Sequence, residues 1–263
     1  MQNITKNHNN YGTNVLEIEI LNIKINFISL QKALSLIERW VETNKQYQIT
    51  TPNPEQIILA NKCYRFKKVL NDSQLAIADG IGLVWAAKKQ KSKKTSKEKL
   101  KYFRLSGVDL MQELCKLAAK KKLRVFFLGG KNNTADKTAK HFAKTYNLQF
   151  YNYDAGALDI KNEENKEKIK IIKKVNKFKP HFMFVAYGAP YQELWIADNL
   201  KKLNVKVAMG VGGAFDYFSG QLKRAPKVLR KIGLEWLWRL IQQPWRVKRQ
   251  FNLVRFVYLV LTS

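Results

Sequence analysis

Across residues 15–27 apolar and polar side chains alternate on either side of Asn22, a two-residue period that predicts a hairpin of two short strands. Ser29 is placed to cap a helix running to about Glu42. Beyond it, six short runs rich in β-branched and aromatic residues, at 48–51, 75–78, 124–128, 149–153, 181–187 and 205–209, alternate with helical stretches. That alternation predicts an α/β fold: a mostly parallel, Rossmann-like sheet with helices on both faces, preceded by the N-terminal β-hairpin. Ligands of such sheets bind beyond the carboxyl ends of the strands, so the loops that follow the strands are the ones to inspect.

Three segments break the pattern. Residues 1–14 are polar and Asn-rich, which predicts a disordered N-terminal tail without the apolar run of a secretory signal. Residues 88–101 hold eight lysines in fourteen positions and no apolar period, which predicts a solvated, mobile loop. Residues 227–263 carry eight Lys or Arg against one acid, Glu235, together with Trp236, Trp238 and Trp245. Cations interleaved with amphipathic rings predict a basic appendage that lies on an anionic membrane. Its most apolar run, 256–261, is too short to cross a bilayer. The expected arrangement is therefore an α/β domain over 15–226 and an appendage over 227–263, located in the cytoplasm and peripheral on the inner face of the plasma membrane.

Composition changes the picture in two ways. A formal charge of +28 on 263 residues suits a polyanionic partner, and nucleic acid is the obvious rival to a membrane. The lysine excess is spread along the chain, however, and 46% apolar residues supply a sizeable core. Cys63 and Cys115 lie far apart without a CxxC pair, as reduced, buried thiols do.

The loops after the strands offer several candidate groups. Thr51-Pro52-Asn53-Pro54-Glu55 is either a stiff turn with a helix cap or a polar rim. Asp79, between Ala78 and Gly80, is either a general base at a strand end or a helix N-cap. The glycines of Gly129-Gly130-Lys131 and Gly210-Val211-Gly212-Gly213 would let a phosphate approach helix N–H groups or simply let helices pack closely. Gln192 and Glu193 follow a glycine-proline turn, where Glu193 reads as a favourable charge near a helix N-terminus. No Asp-x-Asp occurs, which leaves a divalent metal without an obvious seat. Arg239, Arg246 and Arg249, spaced by seven and three, would share one helical face if Pro244 allowed it, and could meet either a diphosphate or lipid headgroups.

Taken in order, TPNPE at 51–55, ADGIG at 78–82, RLSGVDL at 104–110, FLGG at 127–130, GAPYQE at 188–193, GVGGAFD at 210–216, GQLKRAP at 220–226, GLEWLWRL at 233–240 and QPWRVKR at 243–249 resemble the WecG/TagA/CpsF glycosyltransferases over about residues 15–250. The resemblance implies an inverting transfer of N-acetylmannosamine, its uronic acid or a related sugar from a UDP donor to a polyprenyl-diphosphate-linked N-acetylglucosamine, in cell-surface polysaccharide synthesis. It implies catalytic roles for Asp79, as general base, and Thr51. It places Asn53, Arg104 and Gln192 in the pocket and has Arg239, Arg246 and Arg249 close over the donor diphosphate, with no metal or other cofactor. It also implies self-association off the membrane. The rival readings are a nucleic-acid-binding protein and a nonenzymatic membrane module that keeps only the sheet.

Overall fold

The computed structural model describes residues 4–8, 14–92, 102–157 and 159–263. An antiparallel sheet opens the chain, with β1 (Ile4–His8), β2 (Asn14–Ile20) and β3 (Ile23–Phe27) in that order. Leu21 and Asn22 have positive φ (48° and 62°), the backbone that a tight two-residue hairpin turn requires. The register pairs Ile18 with Ile25 and Ile20 with Ile23, so one face of the hairpin is apolar and buried. β1 lies within the segment read as a disordered tail. Ladder pairing to the free edge of β2 uses only backbone groups, so a polar, Asn-rich sequence does not prevent it.

The six runs with β character all become strands of one parallel sheet: β4 (Tyr47–Thr50), β5 (Leu75–Ala76), β6 (Val125–Gly129), β7 (Tyr151–Asp154), β8 (Phe182–Ala186) and β9 (Val207–Gly210). Their order is β5-β4-β9-β8-β6-β7. Asn26 joins the two sheets by bridging to Ile77 and accepting from the Ala76 N–H at 2.8 Å. The helices are α1 (Leu30–Glu42), α2 (Pro54–Lys62), α3 (Tyr64–Asp72), α4 (Ile81–Ser92), α5 (Gly107–Lys121), α6 (Thr134–Tyr146), α7 (Asn165–Phe178), α8 (Tyr191–Asn199), α9 (Ala214–Phe218), α10 (Lys227–Lys231), α11 (Glu235–Gln242) and α12 (Val247–Thr262).

Both faces of the parallel sheet are covered. Ile49, Phe127, Phe184 and Met209 pack with residues of α1, α5 and α6, while Phe126, Leu128, Met183 and Val185 pack with those of α7 and α8. A third cluster lies under the hairpin and takes in Ile57, Phe66, Leu83 and two residues of the last helix, Phe256 and Val260, both buried. The segment read as an appendage is thus packed on the α/β domain, with α12 closing a core over α2 and the hairpin. The lysine-rich stretch also divides: its first residues extend α4 to Ser92, and 93–101 lie outside the described residues. Cys63 is half-buried and Cys115 buried, and both are free thiols.

Candidate active site

The loops after β4 and β5 converge. Asn53 caps α2 by accepting from the Gln56 N–H at 3.0 Å, and Pro54 occupies the first helical position, so the turn is stiff as its sequence suggests. The Asp79 N–H donates to the Pro52 carbonyl, and the Leu105 N–H donates to that of Ala78, which brings the segment holding Arg104 alongside. The Asp79 carboxylate does not cap α4, the helix that follows it. Its Oδ2 accepts instead from the Gly107 N–H of α5 at 3.3 Å.

These groups line a cavity of about 250 Å³ that is roofed by the C-terminal segment. Asn53, Asp79, Arg104 and Ser106 face it from the α/β domain, and Glu235, Trp236, Arg239 and Arg246 from the segment. Burial pushes the Asp79 carboxyl up to about 7; the Gly107 hydrogen bond opposes this, the charges of Glu235 and Asp109 add to it, and that of Arg104 subtracts. Half-ionised near neutral pH, such a carboxylate is matched to proton abstraction in a way that an exposed aspartate is not.

The helix breaks at Pro244, so Arg239 sits on α11, Arg246 in a 3-10 turn and Arg249 on α12. Arg239 is fixed by an ion pair to Asp216 at 3.1 Å and lies over the Tyr217 ring. Gln243 Oε1 accepts from both Arg239 Nε and Arg246 Nη1, tying the two guanidinium groups together. Burial and the neighbouring charges of Arg239 and Arg249 press Arg246 down to about 10. It remains a cation at neutral pH, held among cations, which is the electrostatic signature of a place for an anion. Arg249 pairs with Glu55 at 2.7 Å.

A sequence model of the glycosyl transferase WecG/TagA/CpsF family matches residues 18–263. The chain belongs to this family. The match takes in the apolar end at 251–263, which lies past the quoted motifs. Among similar proteins, N-acetylglucosaminyldiphosphoundecaprenol N-acetyl-beta-D-mannosaminyltransferase of Bacillus subtilis is 32% identical over 214 residues, covering 81% of this chain and 78% of its own. The protein of the same name from Staphylococcus aureus is 29% identical over 250 residues, covering 94% and 92%.

Of the residues singled out from sequence, Asn53, Asp79, Arg104, Arg239 and Arg246 meet at the cavity. Gly213 lies directly beneath the Arg239 guanidinium. Thr51, Gln192, Gly129, Gly130, Gly212 and Arg249 are not among the residues that line it. Thr51 is buried against Gly107. Gln192 is buried as well, and its Oε1 accepts from the N–H groups of Gly188 and Gly212, so it braces two loops. Gly129 lies under the Tyr187 ring, and Gly130 under Thr134. Glu193 does lie in the first turn of α8, but it is buried, accepts from Gln192 Nε2, and is pushed up to about 7 by burial. Sequence reasoning missed Ser106, Asp216, Tyr217 and Glu235 as parts of the site. Ser106, Asp216 and Glu235 fall inside the motifs at 104–110, 210–216 and 233–240, and Glu235 also stands out as the one acid in a basic segment, whereas Tyr217 carries no signal.

The close fit at Gly213 yields a prediction. A Cβ there would fall 2.0 Å from Arg239 Nη2, while the guanidinium can swing aside without disturbing the sheet. Gly213→Ala should fold normally and lose about tenfold or more in kcat/KM, as misplacing a charge-stabilising group does. A variant with native kinetics would show that Arg239 need not rest there.

Proposed function

We propose that this glycosyltransferase moves N-acetylmannosamine from UDP to the N-acetylglucosamine of a polyprenyl-diphosphate acceptor. The reading is supported by the family, by the names of the relatives, and above all by one observation: the Asp79 carboxylate and the Arg239 and Arg246 guanidinium groups face the same cavity. In this reading Asp79 removes the proton of the attacking acceptor hydroxyl. The hydroxyl oxygen bonds to the anomeric carbon on the face opposite the diphosphate, the bond from that carbon to the diphosphate oxygen breaks, and UDP departs with the electron pair. Arg239 and Arg246 meet the charge that develops on the leaving group, and Arg104 lies beside Asp79. Thr51 and Gln192 support this arrangement from behind the cavity wall.

An acceptor held in a bilayer requires an enzyme that reaches the surface. Among the described residues no helix is long and apolar enough to cross a membrane. On α12, Val247, Phe251, Val254, Tyr258 and Leu261 form an exposed apolar stripe at alternating spacings of four and three, flanked by Lys248 and Arg255. This stripe, continued by Trp245 and Ile241, is the surface we assign to anionic lipid on the cytoplasmic face. Replacing Trp245, Phe251 and Tyr258 together by Ser leaves Phe256 and Val260 in the core. The triple variant should remain folded, cease to sediment with phosphatidylglycerol vesicles, and lose activity on the lipid acceptor. Undiminished sedimentation would remove the stripe from the account.

The direct test offers UDP-N-acetylmannosamine and other UDP-sugars, together with a short-chain polyprenyl-diphosphate N-acetylglucosamine, and weighs the product. A gain of one N-acetylhexosamine from the mannosamine donor is expected, without loss of rate in EDTA because the arginines carry the charge. Transfer of only a different sugar would overturn the donor assignment.

A further inference from the structure

Arg224 lies outside the cavity wall, yet its guanidinium spans two carboxylates. Nη1 meets Asp109 at 2.7 Å and Nε meets Glu235 at 3.0 Å, and only 17% of its side chain is exposed. Asp109 belongs to the first turn of α5, the same helix end whose Gly107 N–H holds Asp79. Glu235 opens α11, the helix that carries Arg239. One planar fork thus holds the N-terminal turns of two helices, one supporting the proposed base and the other bearing a proposed diphosphate ligand. A lysine cannot grip both partners with that geometry. Two lesser contacts follow the same seam: Arg230 Nη1 stands 3.7 Å from Asp109, and Arg104 Nη2 donates to the Arg230 carbonyl at 2.6 Å.

We propose that Arg224 is a positioning residue that couples the seating of the C-terminal segment over the cavity to the placement of Asp79. Mostly buried ion pairs add little net stability over apolar packing, so what this one supplies is alignment. With the fork in place, docking of α10 and α11 draws on the N-terminus of α5, and Gly107 presents its N–H to Asp79 in register with Arg239. Without it, Asp109 and Glu235 face each other as like charges, and the segment lifts. The kinetic half of this inference rests on the proposed roles of Asp79 and Arg239, whereas the seating half does not.

The test uses the full chain with the substitutions Arg224→Gln, Arg224→Lys, Asp109→Asn and the pair Arg224→Gln/Asp109→Asn. Amide hydrogen exchange across α10 and α11 reads the seating, and KM for the UDP-sugar and kcat read the coupling. Arg224→Gln should speed exchange there and raise the donor KM, each by about tenfold. Exchange in the β6 and β8 core should stay as in the parent. Arg224→Lys should recover part of both losses, Asp109→Asn should match Arg224→Gln, and the double variant should be no worse than the worse single one. Parent-like exchange in Arg224→Gln, or faster exchange with unchanged kinetics, would overturn the proposal; so would additive losses in the double variant. If Asp79→Asn kept its turnover while Arg224→Gln still loosened α10 and α11, the base assignment would fail and the seating would stand.

Discussion

Asp79→Asn is expected to lower kcat by about a hundredfold to ten-thousandfold, the range for loss of a positioned general base, while UDP still binds. The substitution keeps the shape of the side chain and can keep an oxygen toward the Gly107 N–H, so the cavity retains its form. What it removes is the proton acceptor. In the parent enzyme the acid limb of kcat/KM should have a midpoint near 7, because burial raises the carboxyl to that value and only the ionised form accepts a proton. Below the midpoint the rate should fall about tenfold per pH unit. The same shift has a consequence for stability, opposite in sign to that of a salt-bridged aspartate. The unfolded carboxyl releases its proton near 3.8 and the folded one near 7, so between those values the native state holds the extra proton. Stability from this group is therefore full below the lower value and is lost as pH rises toward the upper one. Asparagine has no such loss, and at pH 8 the inactive variant should melt higher; about 1 kcal/mol of relief is worth about 2–4 °C in a chain of this size. A variant that is inactive but melts lower at pH 8 would mean that the carboxylate holds the loop together and that its role is structural.

Much of this architecture is legible in the order of residues, for reasons that also mark where legibility ends. The six strands are short β-rich runs closed by turn residues, and Ser29 and Asn53 act locally, each bonding a backbone N–H three residues on. Asp79 and Asn53 stand out because strand-end loops are where an open parallel sheet presents groups to a ligand. Asp216, Tyr217 and Arg224 do not stand out, because their roles depend on which helix folds back against them. Glu193 misleads for a similar reason. Its position in the first turn of α8 suits a solvated charge, yet α8 is packed against β8 and β9, and the side chain is sealed in. The run at 256–261 looks uniformly apolar in one dimension. Only the helical period of α12, set against α2, sends Phe256 and Val260 inward and leaves Tyr258 and Leu261 out. Gln192 carries a polar signal in the sequence, but that signal does not show that two loop N–H groups claim its oxygen.

Replacing Arg246 by Gln should cost about a hundredfold to a thousandfold in kcat/KM, with Arg239→Gln close behind, as loss of a charge-stabilising donor in an enclosed site does. Arg246 carries the larger burden because, among the described residues, no carboxylate stands within ion-pair distance of it, although the charge of Glu55 partly offsets its neighbours. Arg239 has Asp216 and Arg249 has Glu55, whereas Gln243 Oε1 is the acceptor that Arg246 meets, and a neutral one. Its depressed value, about 10, measures the burial and the repulsion from its two neighbours. A diphosphate entering the cavity would relieve both, so donor binding and this cation stabilise each other. Two further results follow. Without ligand, Arg246→Gln should melt higher than the parent, since a crowded cation is gone; with saturating UDP the order should reverse, because the parent gains the larger stabilisation. Arg249→Gln should lose much less, as its guanidinium is committed to Glu55, and the double variant Arg239→Gln/Arg246→Gln should fall short of the product of the single losses because both groups share Gln243. Thermal melts with and without UDP, read beside steady-state kinetics, separate these cases. If Arg246→Gln kept both the full UDP-induced shift and its turnover, the diphosphate would have to lie elsewhere, and lipid headgroups would be the anions left for Arg246 to meet.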